Sequence, residues 1–573
     1  VSGVAWWQRP WAPLVVILFG LALHLPSLGL GFLADDWGQQ LVLEDPLEGS
    51  TMQPWSLYDF GTRASLEASF GDDSVLPWWT DPRWKARFFR PVSSVVLWAE
   101  SELLGRNGPA RHALGLLWHA VFLALAWRLF LALGLARGTA LLALAVLACE
   151  DGAVMAVGWF ANRNALIEGV ACAGALLCAL RAREHGGGAL AGAWLCGALA
   201  FGAKESGLAA WLGCAVLWMR APSASARSWA WVSMASVALA LLFLLSQGYG
   251  TASRFYPVPW EDPLRYMRHL AGLASGAPLA LCGPWPLDAL EMVPGAAWPM
   301  TACALVLLFL VRAPLRAAWL RVPQALPLTL FAVTSLGLQA CALPSDRLLF
   351  VPALALVPFV ASFLVELRQA SWQAQRRWRL LARVLLATSL PLSALLVALR
   401  AGLVADLSRR LACVFLEAEL ERAPDGRRDV LLLSGPTVLA MLSPQAGWRF
   451  ATGDQETRFH PLQMARRPLV VKRLDERTLE IESRAEPFLA IPFEGVFLTH
   501  AGAPVGERRA NAGFDFELGP GAESVRVTAR ESLDAPRYRV LAWDGARWSR
   551  FELPAVGATR ALEPAAPLSP LVP

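Results

Sequence analysis

Charge is what this sequence has least of. Only 17% of its 573 residues are Asp, Glu, Lys or Arg, against about 25% in soluble domains, and a deficit of that size points to a membrane. The formal net charge of +5 is small and spread along the chain, so there is no basic stripe of the kind that binds nucleic acid. Cysteine is also sparse. The nine present make no CxxC pair, and Cys149, Cys172, Cys178 and Cys214 lie inside apolar runs, where they read as small packing residues instead of metal or redox partners. No convincing A-x-A site follows the first apolar run, 13–30, which therefore reads as an uncleaved signal-anchor.

What is present is apolar sequence in long runs. Hydrophobic residues make up 55% of the chain and mean hydropathy is +0.43. Runs able to cross a hydrocarbon core of ~30 Å recur from Pro13 to about Gly402. The expected spans are 13–30, 112–134, 138–157, 164–181, 188–203, 206–220, 228–247, 297–312, 325–343, 347–366 and 380–404. A weaker stretch, 267–284, contains Gly and Pro. Short basic connectors hold Arg128 and Arg137, Arg181 and Arg183, Arg220 and Arg227, Arg312, Arg316 and Arg321, then Arg376, Arg377 and Arg379. All fall on one side if 267–284 does not cross, which gives about eleven spans by the positive-inside rule. The chain is then a multi-pass protein of the cell's inner (cytoplasmic) membrane, with the N-terminus in the cytoplasm and the C-terminus outside.

On this topology the unusual polar residues collect at the outer face. They sit in a large loop, 31–111, in the turns 159–164 ("WFANRN"), 202–206 ("GAKES") and 343–347 ("LPSDR"), and in 248–296. Asp35 and Asp36 in "GFLADDWGQQ" are adjacent carboxylates just beyond the first span. Partial burial of such a pair raises one pKa, as a general base requires, although a solvated loop tip also carries paired acids. The stretch 83–105 mixes Arg83, Lys85, Arg87 and Arg90 with Trp84, Phe88 and Phe89, a pattern for an interfacial anchor or for phosphate recognition. His112 and His119 are seven apart on one helix face, where core packing competes with ligand or phosphate contact. Glu150 and Asp151 interrupt an apolar run and call for a cationic partner such as Arg163 or Lys204. Arg163, Lys204 with Glu205, and Asp346 with Arg347 occupy short turns, which need polar residues in any case. Together, acids, cations and imidazoles at the outer ends of successive spans describe a polar cavity suited to transfer from a lipid-linked phosphate.

After about residue 409 the pattern changes to short alternating runs such as "RPLVVKRL", "RTLEIES" and "ESVRVTAR", bounded by Gly, Pro and Asp. These predict strands. The reading is a transmembrane domain, 1–409, followed by an extracytoplasmic, mostly β domain, 410–573, of sandwich type. Its Pro/Ala-rich tail from about 555 is expected to be disordered. No internal repeat and no catalytic motif occur in it.

The ordered set "FLADDW", "FRPVSSVVLW", "GRNGPARHALGLLWHAVFLAL", "GWFANRNALIEGV", "AKESGLAAWL" and "SDRLLFVPAL", spread over 31–366, resembles the membrane-embedded GT-C glycosyltransferases. The likeness is closest to the protein O-mannosyltransferase branch, including the mannosyltransferases that carry tetratricopeptide repeats. The resemblance implies a transferase for polyprenyl-phosphate sugars, a mannose-like hexose among them, acting with inversion on the non-cytoplasmic face. The acceptor would be a hydroxyl on a protein, lipid or glycan. It also implies Asp35 as acceptor base with Asp36 beside it, and Arg90, His112, Arg163, Lys204 and Arg347 on the donor side; from the residue pattern itself His119 is a further phosphate-binding candidate, and Glu150, Asp151 and Glu205 are candidate cavity carboxylates. Asp35 and Asp36 could hold a divalent metal, though no complete ligand set is visible. The repeats are absent here, and Glu150, Asp151 and Met155 stand where relatives carry a His-Pro and a Glu. Two other classes compete: a lipid or sugar transporter or flippase, which calls for inverted repeats and charges at depth, and a catalytically inactive scaffold.

Overall fold

The computed structural model describes residues 6–46, 49–70, 74–185, 187–283, 287–288, 297–420, 426–499 and 502–568. The end of the expected 267–284 stretch, much of 284–296 and the last five residues of the tail lie outside that set. The chain divides into two compact units, one formed by residues up to 30, 88–249 and 257–405, the other by 31–87, 250–256 and 406–573.

The first unit is helical. Six helices are long and apolar enough to cross a membrane: Ala12–Gly29, Gly108–Ala132, Phe160–Ala182, Ala224–Ser246, Asp346–Leu367 and Arg376–Leu416. Two bent pairs also qualify, Arg137–Ala148 with Gly152–Gly158 and Trp298–Leu310 with Arg312–Arg321, which makes up to eight. Gly187–Ala203, Glu205–Met219 and Ala325–Gln339 are apolar but shorter. Each segment expected to span is thus helical, as lipid demands of a backbone that must satisfy its own hydrogen bonds. The stretch Pro263–Cys282 is also helical, with Pro278 inside it, and is not among those candidates. Small residues let the helices approach: Ala143, Ala173, Ala175, Ala179 and Ala193 are fully buried in one apolar cluster, the packing mode expected where hydrocarbon gives no hydrophobic drive.

The second unit is rich in β-structure. Strands Asp59–Thr62, Lys85–Arg87 and Gly250–Ala252 form a small antiparallel sheet. The expected interfacial segment 83–105 is therefore divided. Lys85–Arg87 is a strand whose Arg87 pairs with Asp59 through two bonds of 2.8 Å, and only Pro91–Leu104 is helical. A six-stranded sheet takes Thr559–Leu562, Leu469–Arg473, Thr478–Ser483, Ser524–Ala529, Phe514–Leu518 and Arg508–Ala510 in that order. The tail expected to be disordered thus supplies an edge strand, its residues 559–562 pairing with 469–472. The four-stranded sheet departs from an antiparallel sandwich. Arg428–Leu432 runs parallel to both Thr457–Pro461 and Tyr538–Trp543. Parallel neighbours need a crossover, and helices Val438–Leu442 and Pro444–Thr452 provide it.

Asp429 ties the second unit together electrostatically. It is fully buried, 3.0 Å from His460 Nε2, and accepts from Arg537 Nε at 2.7 Å. Burial pushes its carboxyl up, but the bonds and charges of His460, Arg537 and Arg427 outweigh it and leave the group below the usual aspartate range. A depressed carboxylate contributes stability above its unfolded pKa and loses it as pH falls through the folded one. Asp429→Asn is therefore expected to destabilise the protein at neutral pH, with the gap to the natural chain closing below about pH 4. Acid unfolding of the full chain followed by tryptophan fluorescence measures this; a gap that is constant with pH counts against it.

Candidate functional site

Three turns of the helical unit tighten into 3-10 helices at Phe160–Asn162, Glu205–Gly207 and Asp346–Leu349. The middle one folds hard against the preceding helix. A Cβ on Gly207 would lie 2.2 Å from the carbonyl of Ala200, so only glycine permits this return. The turn presents Lys204, which is buried and donates to Gln339 Oε1 at 3.0 Å. Gln339 Nε2 donates to Ser206 Oγ at 3.1 Å, and Ser206 donates to Glu168 at 2.6 Å. Glu205 next to it accepts from the Phe89 N–H at 2.8 Å and from Arg90 Nε at 3.2 Å. Arg90, Arg347, Glu168 and Glu205 are all close enough to act on the Lys204 charge. Arg347 lies over the Trp159 ring at 5.3 Å. Lys204 and Arg90 at this turn are cations of the kind that suits an anionic group.

Asp151 finds a different partner from the one the sequence suggested. Arg400 binds Asp151, Asp288 and, at 2.9 Å, Asp346. Neither Arg163 nor Lys204 takes part in those bonds, because both are engaged elsewhere. Glu150 is buried and accepts from the Gly152 N–H at 3.0 Å, at the break between the bent helices. A Cβ on Gly152 would stand 2.5 Å from the Asp346 carbonyl, so the two turns touch. Arg400 is a lone cation in an apolar run, and Glu168 a lone acid in another. That signal could have found both. Nothing in the sequence marks Asp288.

Arg163 is fully enclosed. Its Nη1 donates to Glu100 at 2.7 Å and its Nη2 to the Arg111 carbonyl at 3.1 Å; the side-chain exposures are 0% and 5%. His112 and His119 do share a helix face, and that face is packed. His112 stacks on Phe160 with centroids 4.2 Å apart. His119 lies 5.0 Å from the ring of His24, beside Phe122 and Phe350.

In the second unit, Asp35 and Asp36 open the helix Asp35–Glu44. They are in its first turn, not on a solvated loop tip, and acids there meet the positive end of the helix dipole. Asp36 is buried and turns back to accept the Leu33 N–H at 2.9 Å. Asp35 is half-buried. Ala34 before it has a φ of +45°, a strained conformation for a residue with a Cβ. Among the described residues no three His, Cys, Asp or Glu side chains are grouped to hold a metal ion.

No protein-family model matches the sequence, and no curated protein does. Among solved structures, the chain is similar to the oligosaccharyltransferase of Archaeoglobus fulgidus in the apo form, at 11% identity and a TM-score of 0.42 over 80% of this chain and 66% of that one. The same archaeal enzyme, AglB, in complex with an inhibitory peptide and a dolichol-phosphate gives a TM-score of 0.43 at 11% identity, over 80% of this chain and 65% of that one. ArnT from Cupriavidus metallidurans in the apo state gives 0.39 at 15% identity, over 79% of this chain and 85% of that one. The chain thus spans about 65% of the length of the oligosaccharyltransferase.

Proposed function

We propose that this chain is a membrane glycosyltransferase that moves a sugar from a polyprenyl-phosphate donor to an acceptor hydroxyl. The observation that carries the reading is the turn at 204–207, where Arg90 bonds Glu205 at 3.2 Å beside the buried Lys204, in a chain whose motifs follow the order of the GT-C enzymes. A sugar phosphate already has a good leaving group, so transfer needs a base for the incoming hydroxyl and cations for the outgoing phosphate. The acceptor oxygen attacks the anomeric carbon, the bond from that carbon to the phosphate oxygen breaks, and configuration inverts. The resemblance assigns the hydroxyl proton to Asp35 and the charge of the outgoing lipid phosphate to Arg90, Lys204 and Arg347. Mannose-like hexoses are the proposed sugar, and a protein, lipid or glycan hydroxyl the acceptor.

Charge-assisted contacts to phosphate contribute about 1.5–3 kcal/mol each. Arg90→Ala, Lys204→Ala and Arg347→Ala are each expected to weaken donor use about ten- to a hundredfold. The assay supplies purified protein with a panel of polyprenyl-phosphate sugars and follows sugar release. Unchanged donor kinetics in all three variants remove the group from the site, and consumption of no donor at all overturns the enzyme reading.

The proposed setting is the inner (cytoplasmic) membrane, N-terminus in the cytoplasm and residues 410–573 outside it. Alkaline phosphatase fused to the C-terminus of the full chain is expected to be active. An inactive fusion, with an active cytoplasmic reporter at the same place, would mean that 267–284 crosses.

A further inference from the structure

A second group of charges lies at the far end of the helical unit. Helix Phe350–Leu367 begins from the turn that holds Arg347 and runs for 18 residues, about 27 Å at 1.5 Å per residue. That is close to the ~30 Å thickness of a hydrocarbon core. At its far end Ala318, Phe363, Leu367, Trp378 and Ala382 form one buried cluster. The cluster joins that helix to Arg312–Arg321 and Arg376–Ala387.

Around the cluster the charge is of one sign. The stretches 312–321 and 366–383 contain eight Arg and one acid, Glu366. All eight Arg are exposed. Glu366 is buried, 2.7 Å from Arg321, and accepts from Trp372 Nε1 at 2.8 Å. Among the described residues, no carboxylate pairs with Arg312, Arg316, Arg376, Arg377, Arg379 or Arg383. Apolar side chains are exposed between these cations: Trp319 at 40%, Leu320 at 68%, Leu380 at 60% and Val384 at 48%. Helix Arg312–Arg321 also turns 73° away from the apolar helix before it, as a helix does when it leaves the hydrocarbon to lie along its surface. Water alone would not favour exposed Leu and Trp, and acyl chains alone would not tolerate guanidinium. The boundary between them accepts both, with the cations at headgroup depth.

We propose that this collar is a binding site for anionic phospholipid, with the guanidiniums on the phosphodiester headgroup and Trp319, Leu320, Leu380 and Val384 against its acyl chains. The test reconstitutes the full-length protein in nanodiscs made from equal amounts of phosphatidylglycerol and phosphatidylcholine. Lipid retained after extraction is then quantified by mass spectrometry. The natural chain is expected to retain phosphatidylglycerol preferentially. The triple variant Arg376→Gln, Arg377→Gln, Arg379→Gln should retain about tenfold less, because each cation near the surface adds to the attraction. The matching triple Lys variant keeps the charge and should hold most of the lipid, which separates loss of binding from loss of fold. Equal retention of the two lipids by the natural chain, or unchanged retention in the Gln variant, overturns the proposal. Displacement of phosphatidylglycerol by millimolar inorganic phosphate overturns it too, since the collar would then be a free-anion site.

Discussion

Asp35→Asn is expected to lower turnover about 10²–10⁴-fold while leaving polyprenyl-phosphate sugar binding intact. An acceptor hydroxyl is a weak nucleophile at neutral pH, and the amide keeps the shape of the carboxylate but cannot take the proton. Of the two adjacent acids, the structure distinguishes their surroundings. Asp36 is buried with its Oδ2 on the N–H of Leu33, which precedes the helix, a bond that the side-chain oxygen of Asn can also accept. Asp35 is half-buried in the same helical turn, beside the positive φ of Ala34; strained backbone of that kind collects at functional sites. Asp36→Asn is therefore expected to lower stability modestly, by about 0.5–1.5 kcal/mol as for one weakened hydrogen bond, with a smaller effect on turnover. The measurement is single-turnover sugar transfer beside donor binding for each variant. Near-normal turnover of a folded, donor-binding Asp35→Asn protein would overturn the assignment of the base.

Glu100→Ala is expected to cost about 3–5 kcal/mol of stability, because it leaves the Arg163 guanidinium enclosed without its counter-charge. Arg163 has 0% side-chain exposure and Glu100 5%, so water cannot replace the lost carboxylate. Arg111, also buried, stands 4.0 Å from the same Glu100. Replacing both members of the pair, with Glu100→Leu and Arg163→Met, should restore much of the loss, since apolar substitutes of similar size need no partner. Denaturant unfolding in detergent gives the two stabilities. A single variant within about 0.5 kcal/mol of the natural chain would mean that the pair is solvated. The double variant also separates two roles for Arg163: if it folds but loses donor use tenfold or more, the guanidinium acts on the donor as well as on Glu100.

Hydropathy, periodicity and the sign of short connectors are local properties, and they were enough for the class of the fold. An apolar run of sufficient length must be helical in lipid wherever it sits in the chain, so the helical segments and the β-rich C-terminal region were legible from composition alone. The same local logic located Lys204, Arg347 and Asp35 as polar residues at the ends of apolar runs. It misjudged 559–562, because whether a short stretch becomes a strand depends on the edge it can pair with, and that edge comes from residues 469–472. It also paired Glu150 and Asp151 with cations nearby in sequence. Which charges meet is decided by helix packing between distant segments: Arg400 lies 249 residues from Asp151, and Gln339 lies 135 residues from Lys204. An unpaired charge in an apolar interior is so costly that each must find a partner, but sequence supplies only the demand. Tertiary structure chose Arg400 for Asp151 and Glu100 for Arg163, leaving Lys204 to Gln339 and its neighbours at the turn.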